Sequence, residues 1–244
     1  MHDPALYTLT WRVARRRLLA NPLASAAAVL FPAFVVWLGL RDSYETAAKF
    51  FFFLVPHLFL VAAQDTVRTD LESGALENVL FVGGRFRSFL RAKSAVLAGA
   101  VAAYACALFA ALAAWGLLTG KFEPVHAAQF GLGLLAGIYY AGVAGALSYF
   151  LRAGSNTLVL LLAQSAVLIG LLFSATSRAG FIDGLVAGRF TGLGSKLTAA
   201  GLVAVLPNLV VSRRLFVFGF EVMAGLALAI LAQAWLSRRL ELER

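Results

Sequence analysis

The chain has 244 residues, of which 61% belong to the hydrophobic set and 14% are charged. A soluble domain of this size cannot bury that much apolar surface in one core, so the composition excludes an ordinary soluble enzyme and a disordered chain. The apolar runs are long and continuous, which excludes a transmembrane β-barrel. The net charge is +9, and in a membrane protein such basic residues meet anionic lipid. We therefore expect an all-α membrane protein with membrane lipid, and no nucleic acid, among its partners.

The first segment, residues 6–20, predicts an amphipathic elbow helix that lies in the membrane interface. Leu6, Leu9 and Val13 recur at helical spacing, and the arginines that surround Trp11 mostly occupy the other side. A cleaved signal peptide is the alternative interpretation. The apolar run that follows is too long for the core of a signal peptide, and no clear cleavage site closes it.

Six apolar segments of about 20 residues are predicted to span the membrane. They cover residues 23–40, 47–64, 94–118, 128–151, 157–173 and 217–236. Residues 174–216 differ, because they are rich in glycine and their apolar part, Leu197 to Val211, is short and contains Pro207. We predict re-entrant or interfacial helices there, broken near Pro207 and Asn208, within a single transmembrane domain that covers residues 1–244.

The distribution of lysine and arginine predicts the orientation. With the N-terminus inside, the predicted inner segments hold 13 of the 21 basic residues. Both termini are therefore expected in the cytoplasm, and a multi-pass protein of a bacterial or archaeal cytoplasmic membrane is expected. If Leu197 to Val211 crossed the membrane, the C-terminus would lie outside instead.

The inner loop, residues 65–93, has the most distinctive pattern. Leu76, Val79 and Leu80 share one helical face, and acidic side chains stand beside it. A glycine pair ends this short helix, and a basic cluster then leads into the third span. The pattern alone also fits an ordinary solvated loop.

This loop resembles the cytoplasmic loop of ABC-2 type transporter permeases. The residues that match the family pattern are Gly74, Ala75, Leu76, Glu77, Val79, Leu80, Arg87 and Lys93. Ala75 stands where the family has a hydroxyl residue, and Gly83-Gly84 stands where proline is common. Residues 15–22 are similar to the family's basic elbow, and residues 206–208 with Arg213-Arg214 resemble its outer re-entrant pair.

The resemblance implies a membrane permease subunit of an ABC transporter that pairs with a second copy or a paralogue. Each copy would dock on a separate ATPase subunit, which binds ATP and Mg²⁺, and accessory subunits are possible. The helix at residues 70–80 would be the coupling helix that sits in a groove of the ATPase. The residues implied in this coupling are Asp70, Glu72, Gly74, Leu76, Glu77, Val79 and Leu80.

The chain is not expected to be an enzyme, because the phosphate-binding G-x-x-x-x-G-K-[ST] pattern is absent from it. No cofactor and no metal are expected in the chain itself. Polar residues at membrane depth are candidates for function, and His57 and Gln164 are the most central candidates for a translocation pathway. Each of them also fits a purely structural interhelical hydrogen bond. Gly133 and Gly137 form a G-x-x-x-G that predicts close helix packing.

Two other functions fit parts of the pattern. One is a membrane anchor or assembly factor for a partner complex, including a permease like that of the haem pathway in cytochrome c maturation. The other is a self-sufficient secondary transporter, which the lack of an internal repeat and of mid-span acids disfavours. Export is expected, and the substrate stays open.

Overall fold

The computed structural model of the chain describes residues 4–65, 67, 70, 72, 74, 86–152, 154–177 and 192–242. All regular structure within these residues is helical, which confirms the predicted all-α class. The α-helices are α1 Pro4–Ala20, α2 Pro22–Arg41, α3 Tyr44–Ala62, α4 Phe86–Leu118, α5 Pro124–Leu147, α6 Ser155–Ser177, α7 Leu193–Val205 and α8 Gly219–Leu242. Short 3-10 helices cover Ala63–Asp65, Pro207–Val211 and Arg213–Phe218.

Five helical stretches in the described residues are long and apolar enough to cross a membrane. They are α2, α3, α4, α5 and Leu215–Arg239, which includes most of α8. The predicted span at 157–173 falls in α6. The apolar part of this helix, Ser155–Leu171, is shorter than each of the five candidate spans. The chain is therefore a helical multi-pass membrane protein, with five candidate spans among its described residues.

The two ends of the helix bundle are marked by different side chains. At one end the rings of Tyr44, Trp115 and His126 meet, and we name it the His126 end. At the opposite end Lys93 of α4 contacts Asp70, and we name it the Asp70 end. Leu236 of α8 packs on the buried cluster around Phe86 and Tyr149, so the last turns of α8 lie at the Asp70 end.

Local sequence explains where the helices start. Asn21 caps α2 by accepting hydrogen bonds from two backbone N–H groups of its first turn, and Pro22 occupies the position where a missing N–H costs nothing. Ser43 caps α3 in the same way through the N–H of Thr46, at 3.2 Å. At α5, Glu123 and His126 form a reciprocal capping box around Pro124. These caps place the helix starts within a few residues of the predicted positions.

Glycines let α5 approach two neighbouring helices closely. A Cβ added to Gly137 would overlap the Phe59 ring of α3, and one added to Gly133 would lie 3.4 Å from the Phe52 carbonyl oxygen. On another face of α5, a Cβ on Gly145 would collide with the amide of Gln233 in α8. The predicted packing role of Gly133 and Gly137 is therefore confirmed.

The segment before α8 breaks at the predicted position. Helix α7 has 13 residues and ends at Val205, and a 3-10 helix starts at Pro207. Asn208 donates a hydrogen bond to the Phe53 carbonyl of α3. Three residues later, the Val211 carbonyl accepts a hydrogen bond from Gln129, which lies near the His126 end of α5. The chain thus approaches mid-bundle at Asn208 and turns back toward the His126 end.

Two features of the elements differ from the sequence-based expectation. Helix α4 begins at Phe86, eight residues before the predicted span, because the basic residues that precede the apolar run are helical as well. Helix α1 buries Thr10 and Ala14, whereas Val13 of the predicted apolar face is exposed. The small side chains of α1 allow close packing on α4. The side chains of Leu6 and Leu9, the other two residues of the predicted apolar face, lie outside the described residues.

Candidate functional site

A buried carboxylate joins three separate parts of the chain at the Asp70 end. The Lys93 Nζ atom of α4 lies 2.6 Å from Asp70 Oδ2, and the Arg17 Nη1 atom of α1 lies 2.8 Å from Asp70 Oδ1. Both contacts are hydrogen-bonded ion pairs. We name these three residues the Asp70 ion cluster.

Burial makes the Asp70 ion cluster a strong constraint on structure. The Asp70 and Lys93 side chains are 2% and 4% exposed, while Arg17 keeps 34% of its side chain accessible. A buried charge that loses its partner is strongly destabilising, although an intact pair adds little net stability. The cluster therefore fixes the position of Asp70 relative to α1 and α4.

The structure places those predicted coupling residues that it describes in different environments. The Asp70 carboxylate points into the molecule, so Asp70 does not present its charge to a partner, whereas Glu72 is exposed. Gly74 has φ +72°, a left-handed conformation that favours glycine. The other four predicted coupling residues, Leu76, Glu77, Val79 and Leu80, lie outside the described residues.

A second polar site lies at mid-bundle, where the two predicted pathway residues meet. His57 Nε2 of α3 lies 3.1 Å from Gln164 Oε1 of α6. On its other side, His57 Nδ1 lies 3.2 Å from Nδ2 of Asn208. The Asn208 Oδ1 atom in turn accepts a hydrogen bond from the Tyr140 hydroxyl of α5, at 2.5 Å. We name these four side chains the His57 network.

The hydrogen bonds of the His57 network have one consistent direction. The Asn208 amide donates to the Phe53 carbonyl and to His57 Nδ1, and its own oxygen accepts from Tyr140. His57 must then be neutral, with its proton on Nε2, and it donates to Gln164. The Gln164 Nε2 amide is buried and has no hydrogen-bond partner in the described part of the chain.

Two sequence features position this network. Pro56 lies inside α3 and lacks an N–H, so it donates no helical hydrogen bond to the Phe52 carbonyl. The next carbonyl along the chain, that of Phe53, accepts a hydrogen bond from Asn208. The break after Val205 brings Asn208 to this point. The network therefore fastens the broken segment to α3, α5 and α6 without any charged group.

The two sites differ in what they can do chemically. The Asp70 ion cluster holds a net positive charge next to exposed surface, whereas the His57 network is neutral and offers one spare amide donor. No group of three or more histidine, cysteine, aspartate or glutamate side chains is positioned to bind a metal within the described ranges. Neither site contains a nucleophile next to a base.

Sequence reasoning found some of these residues and missed others. It selected His57 and Gln164 because polar groups at membrane depth are unusual, but it did not pair them. It placed Lys93, Arg17 and Asp70 in separate motifs and assigned no contact between them. Asn208 was selected only as a helix break, although a polar asparagine within a short apolar segment is a signal for a polar contact.

Comparison of the chain with protein-family models, with curated proteins and with solved structures finds no match.

Proposed function

We propose that the chain is an ABC-2 type permease, the membrane subunit of an exporter that is driven by a separate ATPase subunit. The order of elements supports this proposal: a basic first helix, a long connection after the second apolar helix, and a broken segment before the last one. The observation that carries it is the Asp70 ion cluster. It ties the start of the connecting segment to both α1 and α4.

The ion cluster suits a role in mechanical coupling. A partner that moves residues 70–80 would also move Asp70, and its buried pairs with Lys93 and Arg17 would pass the displacement to α4 and α1. Glu72 is exposed, and its negative charge would complement a basic surface on the ATPase. In this proposal Asp70 holds the connecting segment in position, and residues 72–80 contact the ATPase.

The full topology belongs to the same proposal. Helix α6 serves as a sixth span, α1 is the interfacial elbow, and the 192–218 segment is re-entrant. The Asp70 end faces the cytoplasm of a bacterial or archaeal cell, because four arginines of α1 and the Arg238-Arg239 pair of α8 lie toward it. Both termini are then cytoplasmic.

A second copy of the chain, or a paralogue, completes the pathway in this proposal. Helices α2 and α6 expose large apolar side chains along their length, more than a single lipid-facing stripe requires. Examples are Val29, Leu30 and Trp37 in α2, and Leu158, Leu162 and Ile169 in α6. Gln164 faces His57 from the buried side of α6, so a rearrangement of that helix would bring the spare Gln164 amide to the pathway.

The test uses the ATPase subunit that co-purifies with the wild-type chain from native membranes. Leu76→Asp and Glu77→Arg alter the proposed coupling face, and each should reduce ATPase recovery at least about tenfold, since disruption of a central contact costs about 2 kcal/mol. Neither change lies in a candidate span, so membrane insertion should be unaffected.

The matched control is charge reversal at the C-terminal tail, Glu241→Arg with Glu243→Arg, which should leave ATPase recovery and ATP hydrolysis unchanged. Full recovery of an active ATPase with both loop variants would contradict the coupling assignment. Recovery of a partner that hydrolyses no ATP would instead favour a membrane anchor.

A further inference from the structure

Helix α2 is divided near Pro32 into two halves that pack differently on the rest of the bundle. In the first half none of residues 22–30 is buried. In the second half Phe31 and Val35 are buried, and the Phe31 ring stacks on the Phe51 ring of α3 with 5.6 Å between the ring centroids. Buried side chains therefore hold the second half on α3, whereas the side chains of the first half are at most half-buried.

The same proline leaves one carbonyl of α2 without its helical donor. Pro32 has no N–H, so it donates no hydrogen bond to the Ala28 carbonyl, four residues earlier. The Tyr104 hydroxyl of α4 donates to this carbonyl instead. We name this hydrogen bond the Tyr104 latch. It replaces the missing donor and joins the first half of α2 to a helix that lies 76 residues further along the chain.

A groove among the first four helices ends at the Tyr104 latch. It has a volume of about 180 Å³. On α2 and α4, the lining residues nearest the His126 end are Ala28 and Tyr104. The other lining side chains of these two helices are small, and they include Ala24, Ala27 and Ala100. Small side chains across a groove make few van der Waals contacts, so they hold α2 and α4 together only weakly.

The second half of α2 also contacts α4, but more closely than the first half does. A Cβ added to Gly39 would overlap the Trp115 ring of α4. Gly39 lies eleven residues after Ala28, and Trp115 lies eleven residues after Tyr104. The two helices therefore run side by side in the same direction. They are in close contact near the His126 end, and the groove separates them nearer the Asp70 end.

We propose that the first half of α2 is a gate that pivots at Pro32, and that the Tyr104 latch holds this gate closed against α4. A proline allows a helix to bend because it interrupts the ladder of backbone hydrogen bonds. When the latch breaks, the gate swings away from α4 and opens the groove to the surrounding lipid. The end of α1 moves with the gate, since the Ser25 hydroxyl donates to the Leu19 carbonyl at 3.3 Å. This inference goes beyond the proposed transport function and holds whether or not an ATPase is the partner.

The test measures the distance between two spin labels by pulsed electron paramagnetic resonance, on the full-length chain in lipid nanodiscs. Cys106 is exposed, so Cys106→Ser is introduced first and gives the parent chain. The gate pair, Leu23→Cys with Gly99→Cys, places labels at exposed positions on both sides of the groove, each five residues before its end of the latch. Leu23 lies about 13 Å from Pro32 along the helix, so a pivot of about 20° would lengthen this distance by about 5 Å.

A second pair of labels reports on the half of α2 that should not move. This anchor pair, Val36→Cys with Ala111→Cys, also uses exposed positions of α2 and α4. For the gate pair, we expect a main short distance and a minor longer one in the parent chain. Tyr104→Phe removes only the hydroxyl and should raise the ratio of long to short distances about threefold, the average effect of one interhelical hydrogen bond in a membrane. The anchor pair should be unchanged.

Two further variants show whether the effect belongs to the latch and to the hinge. Tyr139→Phe removes a comparable hydrogen bond, from a tyrosine hydroxyl to the Ala204 carbonyl at 2.8 Å, and should leave the gate pair unchanged. Pro32→Ala supplies an N–H to the Ala28 carbonyl within α2 and removes the hinge. The ratio of long to short distances should then fall below that of the parent chain, and adding Tyr104→Phe should not raise it.

Three results would overturn the proposal. An unchanged ratio in Tyr104→Phe would show that the hydroxyl does not hold the gate. Equal lengthening of the gate and anchor pairs would show that α2 moves as one rigid helix. A threefold rise with Tyr104→Phe that persists beside Pro32→Ala would place the hinge elsewhere. If the melting temperature shows that Tyr104→Phe does not fold, Pro32→Ala alone decides, and an unchanged ratio in that variant would contradict the gate.

Discussion

The Asp70 ion cluster and the His57 network perform the same structural task with different chemistry. Each joins elements that are far apart in sequence: 53 residues separate Arg17 from Asp70, and 107 residues separate His57 from Gln164. The first uses full charges at one end of the bundle. The second uses only neutral amide, imidazole and hydroxyl groups at mid-bundle.

This difference follows from where each site lies. Near a helix end, long side chains such as Arg17 reach water or lipid headgroups, so charge is tolerated. At mid-bundle a charge is expensive in a membrane, and hydrogen bonds between neutral groups are the available means of fastening a broken segment. Loss of one partner should therefore lower the free energy of unfolding more in the charged site than in the neutral one.

The largest effect is expected for Asp70→Asn. The variant removes the carboxylate that pairs with the buried Lys93 ammonium, and loss of such a partner costs about 3–5 kcal/mol in similar sites. The free energy of unfolding, measured by denaturation in mixed micelles, should fall by about this amount. A loss below about 1 kcal/mol would show that the pair is not buried as described.

A smaller loss is expected for Asn208→Leu in the neutral site. This variant removes the hydrogen bonds of Asn208 to Tyr140, Phe53 and His57. Interhelical hydrogen bonds in membranes contribute about 0.6 kcal/mol each on average, so the same denaturation should report a loss of about 2 kcal/mol. The control is Thr198→Val, whose exposed hydroxyl bonds only its own helix and should have no measurable effect. A cost for Asn208→Leu as large as that of Asp70→Asn would contradict the comparison.

The smallest effect is expected for Glu45→Gln, which breaks an exposed ion pair. Glu45 and Lys49 lie 3.9 Å apart on one face of α3, and their side chains are 72% and 76% exposed. Surface pairs of this type contribute less than about 0.5 kcal/mol. Denaturation should give the same free energy of unfolding for this variant and for the wild type. A clear loss of stability would show that burial does not explain the strength of the Asp70 ion cluster.

The sequence predicted the helices well because their signals are local. Long apolar runs define the spans, and Asn21, Ser43 and Glu123 mark helix starts through bonds within one turn. The start of α4 was predicted late because only its apolar part carries a hydropathy signal. Helix α6 shows the limit of that signal, since its apolar part has 17 residues.

The sites could be predicted only in part because their contacts are not local. Several cations, among them Arg87, Arg91 and Lys93, precede the third predicted span, and only the folded chain selects Lys93 as the partner of Asp70. Asp70 was expected to belong to the coupling segment, and only the folded chain shows that its carboxylate is buried. His57 and Gln164 were selected one at a time, and their pairing through α3 and α6 required the tertiary structure.

The buried Asp70 carboxylate fastens the connecting segment to α4 through Lys93. A double-mutant cycle on the free energy of unfolding, with Asp70→Asn, Lys93→Met and both together, tests it most directly. We expect the double variant to be more stable than Asp70→Asn alone, because the buried ammonium that lost its carboxylate is removed as well. The coupling free energy should exceed about 1.5 kcal/mol. Additive losses within about 0.5 kcal/mol would show that the two side chains do not interact and would contradict the claim.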